Sequence, residues 1–229
     1  GGAAPGSGGV RERTRPCQRM HMSDDAAKLQ NVADSVRAAL CGPGGEFESA
    51  LESVLGEQML VFANRHRSVG GFLDDVCERF GINEFLVLGD VRLTYAEVHE
   101  RVNAIGQRLV DHGISPGDRV AILAANRPEW VLTFLATARI GGIVAALNGW
   151  GTAAELDHAI TLSEPSLVVG DTRRLARASG FPPGVEVIDM DAEPDFFAPA
   201  VDAADLDVPI DEDDPALILF TSGTTGRAK

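Results

Sequence analysis

Nine residues at the C-terminal end, Thr221-Ser-Gly-Thr-Thr-Gly-Arg-Ala-Lys229, gather the groups that a polyphosphate needs. Gly223 and Gly226 let the backbone turn sharply and come close, so that successive N–H groups can point at an anion. The hydroxyls of Thr221, Ser222, Thr224 and Thr225 add donors, and Lys229 adds a compact positive charge. The spacing is not that of the Walker-type loop, which wants four residues between its glycines and a lysine directly after the second. Here two residues separate the glycines, and the lysine follows three positions after Gly226. The competing reading is a Gly/Thr-rich surface loop. Against it stands the apolar run Pro215-Ala-Leu-Ile-Leu-Phe220, of strand length, which leads straight into the glycines.

The other reactive side chains form no comparable set. His21, His66, His99, His112 and His158 make no HExxH or other ligand pair, and each reads as a surface or helix-end histidine. His158, in the helix after Trp150, could approach a substrate, but nothing in the sequence requires it. Cys17, Cys41 and Cys77 are odd in number and far apart, which argues against a zinc site or a disulfide framework and fits a reducing cytoplasm. Ser222 lacks the GxSxG elbow of a nucleophilic serine. Trp130 and Trp150 read as packing residues rather than ligand platforms. No catalytic residue and no metal ligand is assigned.

Repeated strand–helix units must position the loop. Arg119 to Ala124 reads as a buried strand, Pro128 as a first-turn proline, and Glu129 to Ile140 as a helix. Ile143 to Leu147 is a second strand, Thr152 and Glu155 make a capping box for a helix to about Ser163, and Leu167 to Val169 is a third strand. This alternation predicts an α/β fold, a mostly parallel sheet with helices on both faces and ligands at the strands' carboxyl ends. Upstream, Ser68 caps a helix to about Phe80, with Phe72, Val76 and Phe80 on one side. Glu84 to Leu93 reads as a hairpin, and Thr94 with Glu97 caps the longest helix, striped by Val98, Val102, Ile105 and Leu109. Residues 1–45 read as a flexible appendage containing one amphipathic helix, with Leu29, Val32, Val36 and Leu40 at helical spacing. Residues 1–21 are not expected in the native folded product. Between Asp189 and Asp214 the chain is crowded with acids and lacks Lys and Arg, which reads as a solvated connection.

The 229 residues are 45% hydrophobic and 24% charged, an ordinary globular composition. A net charge of −14 repels nucleic acid and anionic lipid, so neither is an expected partner. Trp130 to Trp150 has the length of a membrane span, but Arg139 and Gly141-Gly142 read better as a helix end and a turn.

Phe220-Thr-Ser-Gly-Thr-Thr-Gly-Arg-Ala-Lys229 closely resembles the phosphate-loop signature of the adenylate-forming (AMP-binding) enzymes. That superfamily comprises acyl-CoA synthetases, luciferases and nonribosomal-peptide adenylation domains. Ala228 stands where the family usually has proline. Leu93-Thr-Tyr-Ala-Glu97, Gly113 to Ile122, Asn126-Arg-Pro-Glu129, Gly141-Gly-Ile-Val144 and Asp213-Asp214 resemble the family's upstream stretches, in order, so the likeness covers roughly residues 60–229. Asn148-Gly-Trp150 departs from the Asn-Pro of many members and is more similar to synthetases acting on fatty acids.

The resemblance implies that residues 46–229 form the front part of an N-terminal adenylate-forming domain. It implies an acyl-CoA ligase that uses ATP with Mg2+ to turn a carboxylic acid, here a fatty acid, into an acyl-adenylate. Acyl transfer to coenzyme A follows. Thr221, Ser222, Gly223, Thr224, Thr225, Gly226 and Lys229 would hold the phosphates. The family's adenine and ribose stretches, acidic metal ligand, hinge and C-terminal lysine domain come later in its order. The chain is therefore expected to be a fragment, inactive alone. The alternatives are an amino-acid-adenylating or luciferase-like member, or a truncated non-catalytic product.

Overall fold

The computed structural model describes residues 2, 22–200, 206 and 208–221, with the side chains of 22–25 left aside. The chain divides into two compact units, residues 1–64 and 65–229. The first holds helix α1 (Met22–Cys41) and a hairpin of β1 (Ser49–Val54) and β2 (Glu57–Phe62). The expected helix forms, but Leu29, Val32, Val36 and Leu40 are all exposed. The hairpin is not foreshadowed by an Asn-Gly or Asp-Gly signal. Its turn places Leu55 as well as Gly56 at positive φ, a conformation that leucine rarely adopts.

The second unit opens with α2 (Val69–Phe80), the hairpin β3 (Glu84–Leu88) and β4 (Val91–Thr94), and α3 (Tyr95–Asp111). Ser68 caps α2 by accepting from Gly71 N at 3.0 Å, and the Thr94–Glu97 capping box on α3 is complete. The buried face of α2 differs from the expected one. Phe72 and Phe80 are exposed, while Leu73 is buried and Val69, Val76 and Cys77 pack beside it. A stripe continued by one four-residue step from Val69 meets Leu73; Phe72 lies more than a quarter-turn away, and Phe80 is the last residue of the helix. Phe72 meets His66 edge-on, and Phe80 packs near Tyr95.

β5 (Arg119–Leu123), α4 (Pro128–Arg139), β6 (Ile143–Ala146), α5 (Ala153–Ser163), β7 (Leu167–Gly170), α6 (Thr172–Leu175) and β8 (Glu186–Asp189) then alternate, and β9 (Leu217–Leu219) closes the series. They form one parallel sheet in the order β8-β7-β5-β6-β9. Side chains alternate across it with the period of two that a strand imposes. Val120 and Ile122 join α3 and α4 on one face, while Ala121 and Leu123 join α5 on the other. The strands read as continuous apolar runs because both faces are covered.

Three short elements of this unit escaped the sequence: α6, β8 and a 3-10 turn at Pro194–Phe197. The turn corrects the reading of Asp189–Asp214 as merely solvated. Phe196 and Phe197 are buried in the main core. Arg101 donates to the Phe197 carbonyl at 2.8 Å, and Arg108 donates to those of Phe196 and Ala198. The dense acids hide two aromatic anchors.

Candidate functional site

The connections leaving the neighbouring strands β5 and β7 run to opposite faces of the sheet and in opposite directions, through α4 to β6 and through α6 to β8. Such a reversal opens a crevice outside the carboxyl ends of the two strands, where open α/β sheets bind ligands. β9 lies beside β6, with Val144 opposite Leu217 and Ala146 opposite Leu219. It therefore carries the chain to Thr221, exposed at this same end of the sheet. Ser222, Gly223, Thr224, Thr225, Gly226 and Lys229 lie outside the described residues.

The loops around the crevice are tied together from within. After β7, Asp171 accepts from Ala125 N at 2.8 Å and from Arg174 N at 2.9 Å, joining the loop beyond β5 to the first turn of α6. The Arg174 guanidinium donates back to the same carboxylate, and both side chains are buried. A buried pair of this kind is tolerable because each charge meets the other and further hydrogen bonds fill the carboxylate. Above the pair, Trp150 lies with its ring centroid 4.9 Å from the Arg174 guanidinium carbon. Trp150 is 71% exposed, so it is not the packing residue expected from the sequence, whereas Trp130 does stack on Phe134 beside the core. Gly149 makes room for the arrangement: a Cβ there would stand 3.0 Å from Arg174 Cδ and 3.1 Å from the Ala124 carbonyl oxygen. Arg177 completes the wall by donating to the Trp150 and Gly151 carbonyls.

On the far side, Arg127 bridges Glu129 at 2.7 Å and Asp191 at 2.6 Å. The Arg127 hydrogen bond holds the Asp191 carboxyl below its usual range, against a small effect of burial and with help from Thr172 N–H. Thr172 also donates through its hydroxyl to Asp189. The charges of the wall thus meet one another. Asp171 carried a local signal that went unread, an Asx residue directly after an apolar run. The partners of Arg127 and Arg177 are brought by the fold.

Three of the histidines take structural partners: His99 meets Asp74 at 2.8 Å, His112 meets Glu186 at 2.8 Å, and His66 meets Asp75 at 3.5 Å, while His21 lies outside the described residues. Burial, with the nearby Asp74 charge, pushes the Cys77 thiol up, and its Sγ donates to the Tyr95 carbonyl, the surroundings of a structural cysteine. Among the described residues, no helix is long and apolar enough to cross a membrane.

A family profile described as AMP-binding enzyme matches residues 73–229, most of the chain and nearly all of its second unit. The chain belongs to that family. It is 30% identical over 181 residues to the medium/long-chain-fatty-acid–CoA ligase FadD6 of Mycobacterium tuberculosis, covering 75% of this chain and 30% of that protein. It is 34% identical over 141 residues to a feruloyl-CoA synthase of Amycolatopsis, covering 62% and 28% respectively. Among solved structures it resembles the N-terminal domain of FACL13 from Mycobacterium tuberculosis, with TM-score 0.62, 26% identity, and 72% of this chain and 43% of that one covered. The chain spans about 30% of the length of these curated relatives. The sheet, with helices on both faces, is that of the adenylate-forming N-terminal domain.

Proposed function

We propose that the protein of which these residues form a part activates a carboxylic acid, in our reading a fatty acid, with ATP. The products are an acyl-adenylate and pyrophosphate, and the acyl group then passes to coenzyme A. The observation that carries the reading is the junction at Thr221. A family signature of two glycines, four hydroxyls and a lysine begins where a parallel strand reaches the ligand-binding end of its sheet. The fatty-acid relative supports the acyl class, and the feruloyl-CoA relative marks how far the family's acids range.

As the acid oxygen attacks the α-phosphorus, negative charge gathers on the departing pyrophosphate. Donors held in place beforehand stabilise that charge at little reorganisation cost. Thr221, Ser222, Thr224, Thr225 and the backbone N–H groups around Gly223 and Gly226 are assigned to it, with Lys229 as the point charge. Among the described residues no group of three or more His, Cys, Asp or Glu side chains fits a metal ion. Magnesium would enter with ATP, and no step is assigned to it.

The test compares half-reactions in the full-length protein. Lys229→Ala and Thr225→Ala should each slow acid-dependent pyrophosphate release by about 3 kcal/mol, roughly a hundredfold or more. Acyl transfer from presynthesised acyl-adenylate to coenzyme A involves no pyrophosphate and should be much less affected. Equal loss in both half-reactions, or loss in neither, would refute the assignment. A panel of fatty, aromatic and amino acids in the same assay tests the acyl class; a preference for amino acids would overturn it.

A further inference from the structure

The strand that delivers the phosphate loop is short. β9 has three residues, pairs with β6 alone among the described strands, and leaves Leu217 and Leu219 exposed. Among the described residues three backbone pairings hold the strand, and a tie outside the ladder adds to its fixing.

The chain just before it supplies the fixing point. Asp211 to Asp214 close on themselves: Asp211 N donates to Asp214 Oδ2 and Asp213 N to Asp211 Oδ1, both at 3.0 Å, and Asp214 N donates to the Asp211 carbonyl. Glu212 stands on this turn. Arg65 grips its carboxylate with both prongs, Nη2 to Oε1 at 2.8 Å and Nε to Oε2 at 3.1 Å, and Arg67 Nη1 adds a third bond to Oε1. A two-pronged guanidinium–carboxylate pair fixes direction as well as distance. The side chains of Arg65 and Glu212 are only 22% and 27% exposed, so solvent screens the pair less than an open surface bridge.

The far end of the clamp is also anchored. Arg65 and Arg67 alternate with His66, which turns instead to Asp75 and the Phe72 ring. Ser68, the next residue, caps α2. That helix is fastened by buried Leu73 and by Asp74, which accepts from Arg139 of α4 at 2.6 Å.

Resting on the proposed function, we infer that Arg65 and Arg67, by clamping Glu212, are positioning residues for adenylation. They set where β9 delivers the chain into Thr221, and hence where the loop's donors stand against the departing pyrophosphate. None of the three touches substrate in this reading. They act through the strand.

In the full-length protein, Glu212→Ala and the double variant Arg65→Ala/Arg67→Ala should each lower kcat for acid-dependent pyrophosphate release by roughly tenfold, since small misplacements of reacting groups are costly. Glu212→Gln, nearly isosteric, should show the same direction with a folded protein. KM for the acid and acyl transfer from presynthesised acyl-adenylate should stay within about twofold. The triple variant should lose less than the sum of the losses of Glu212→Ala and the double variant, because the three side chains share the Glu212 contact. An unchanged kcat, equal loss in both half-reactions, or additive losses would each overturn the clamp. Lys229→Ala in the same assay separates the two readings. If it spares pyrophosphate release, the proposed function falls and the clamp with it. If it does not, while Glu212→Ala does, only the clamp falls.

Discussion

β5 and β9 are parallel strands of one sheet, paired by the same hydrogen-bond rule and separated only by β6. They differ in nearly everything else. From Val120 to Leu123, β5 is inaccessible to solvent, with a partner on either side and helices over both faces. Among the described residues β9 has one partner strand and two exposed leucines, and it leads into the residues assigned to chemistry. The centre of the sheet holds the fold, while its edge carries the loop. Stability and turnover should therefore respond to different substitutions.

Ile122→Ala offers the largest contrast. Ile122 is fully buried between the sheet and the α3–α4 layer, so its loss should leave a cavity and cost about 2–5 kcal/mol of stability. Urea denaturation measures it, and a cost no larger than that of an exposed site would break the contrast. Leu219→Ala in β9, at a position 66% exposed, should stay within about 0.5 kcal/mol.

Gly170→Ala tests the centre from the opposite direction. A Cβ on Gly170, at the end of β7, would come within 2.6 Å of the Leu123 carbonyl oxygen and 2.7 Å of Leu175 Cδ2. A backbone carbonyl in a buried strand cannot swing away, so one methyl group should destabilise by about 1–3 kcal/mol. A neutral result would show that β5 and β7 can part more easily than their burial suggests.

The smallest effect concerns the helix layer. Burial pushes the Asp74 carboxyl up, but hydrogen bonds and attraction from Arg139 and His99 outweigh it and hold the carboxyl below its ordinary value. A lowered folded-state value contributes stability that is fully present above the ordinary value, about pH 4, and is lost as pH falls through the lower folded one. The stability difference between the native protein and Asp74→Asn should therefore be flat near neutrality and shrink in acid. Urea midpoints across pH measure it, and a difference that grew in acid would reverse the sign.

Much of this was legible because it is local. Capping boxes at Thr94 and Thr152, the proline opening α4 and the apolar runs of β5, β6 and β7 all arise within a few residues of one another. Helix period alone did not decide which side of α2 is buried, because Phe72 and Phe80 are as apolar as Leu73. The partner surface chose. β8 escaped because Glu186-Val-Ile-Asp189 is short and half-polar, and becomes a strand by pairing with β7. The buried Phe196-Phe197 pair was masked by the acids around it.

Sequence by itself determined the order of strands and helices, the caps and the adenylate-forming signature at Thr221–Lys229, since each rests on backbone preference or on residue types at close spacing. Tertiary structure alone decided that, among the described strands, β5 lies at the centre and β9 at the edge. It alone brought Arg65 and Arg67 to Glu212, 147 and 145 residues away. It alone placed Arg174 beneath Trp150. The reason is physical: strand order and ion-pair partners depend on chain crossovers and shared burial, which join residues that no local pattern links.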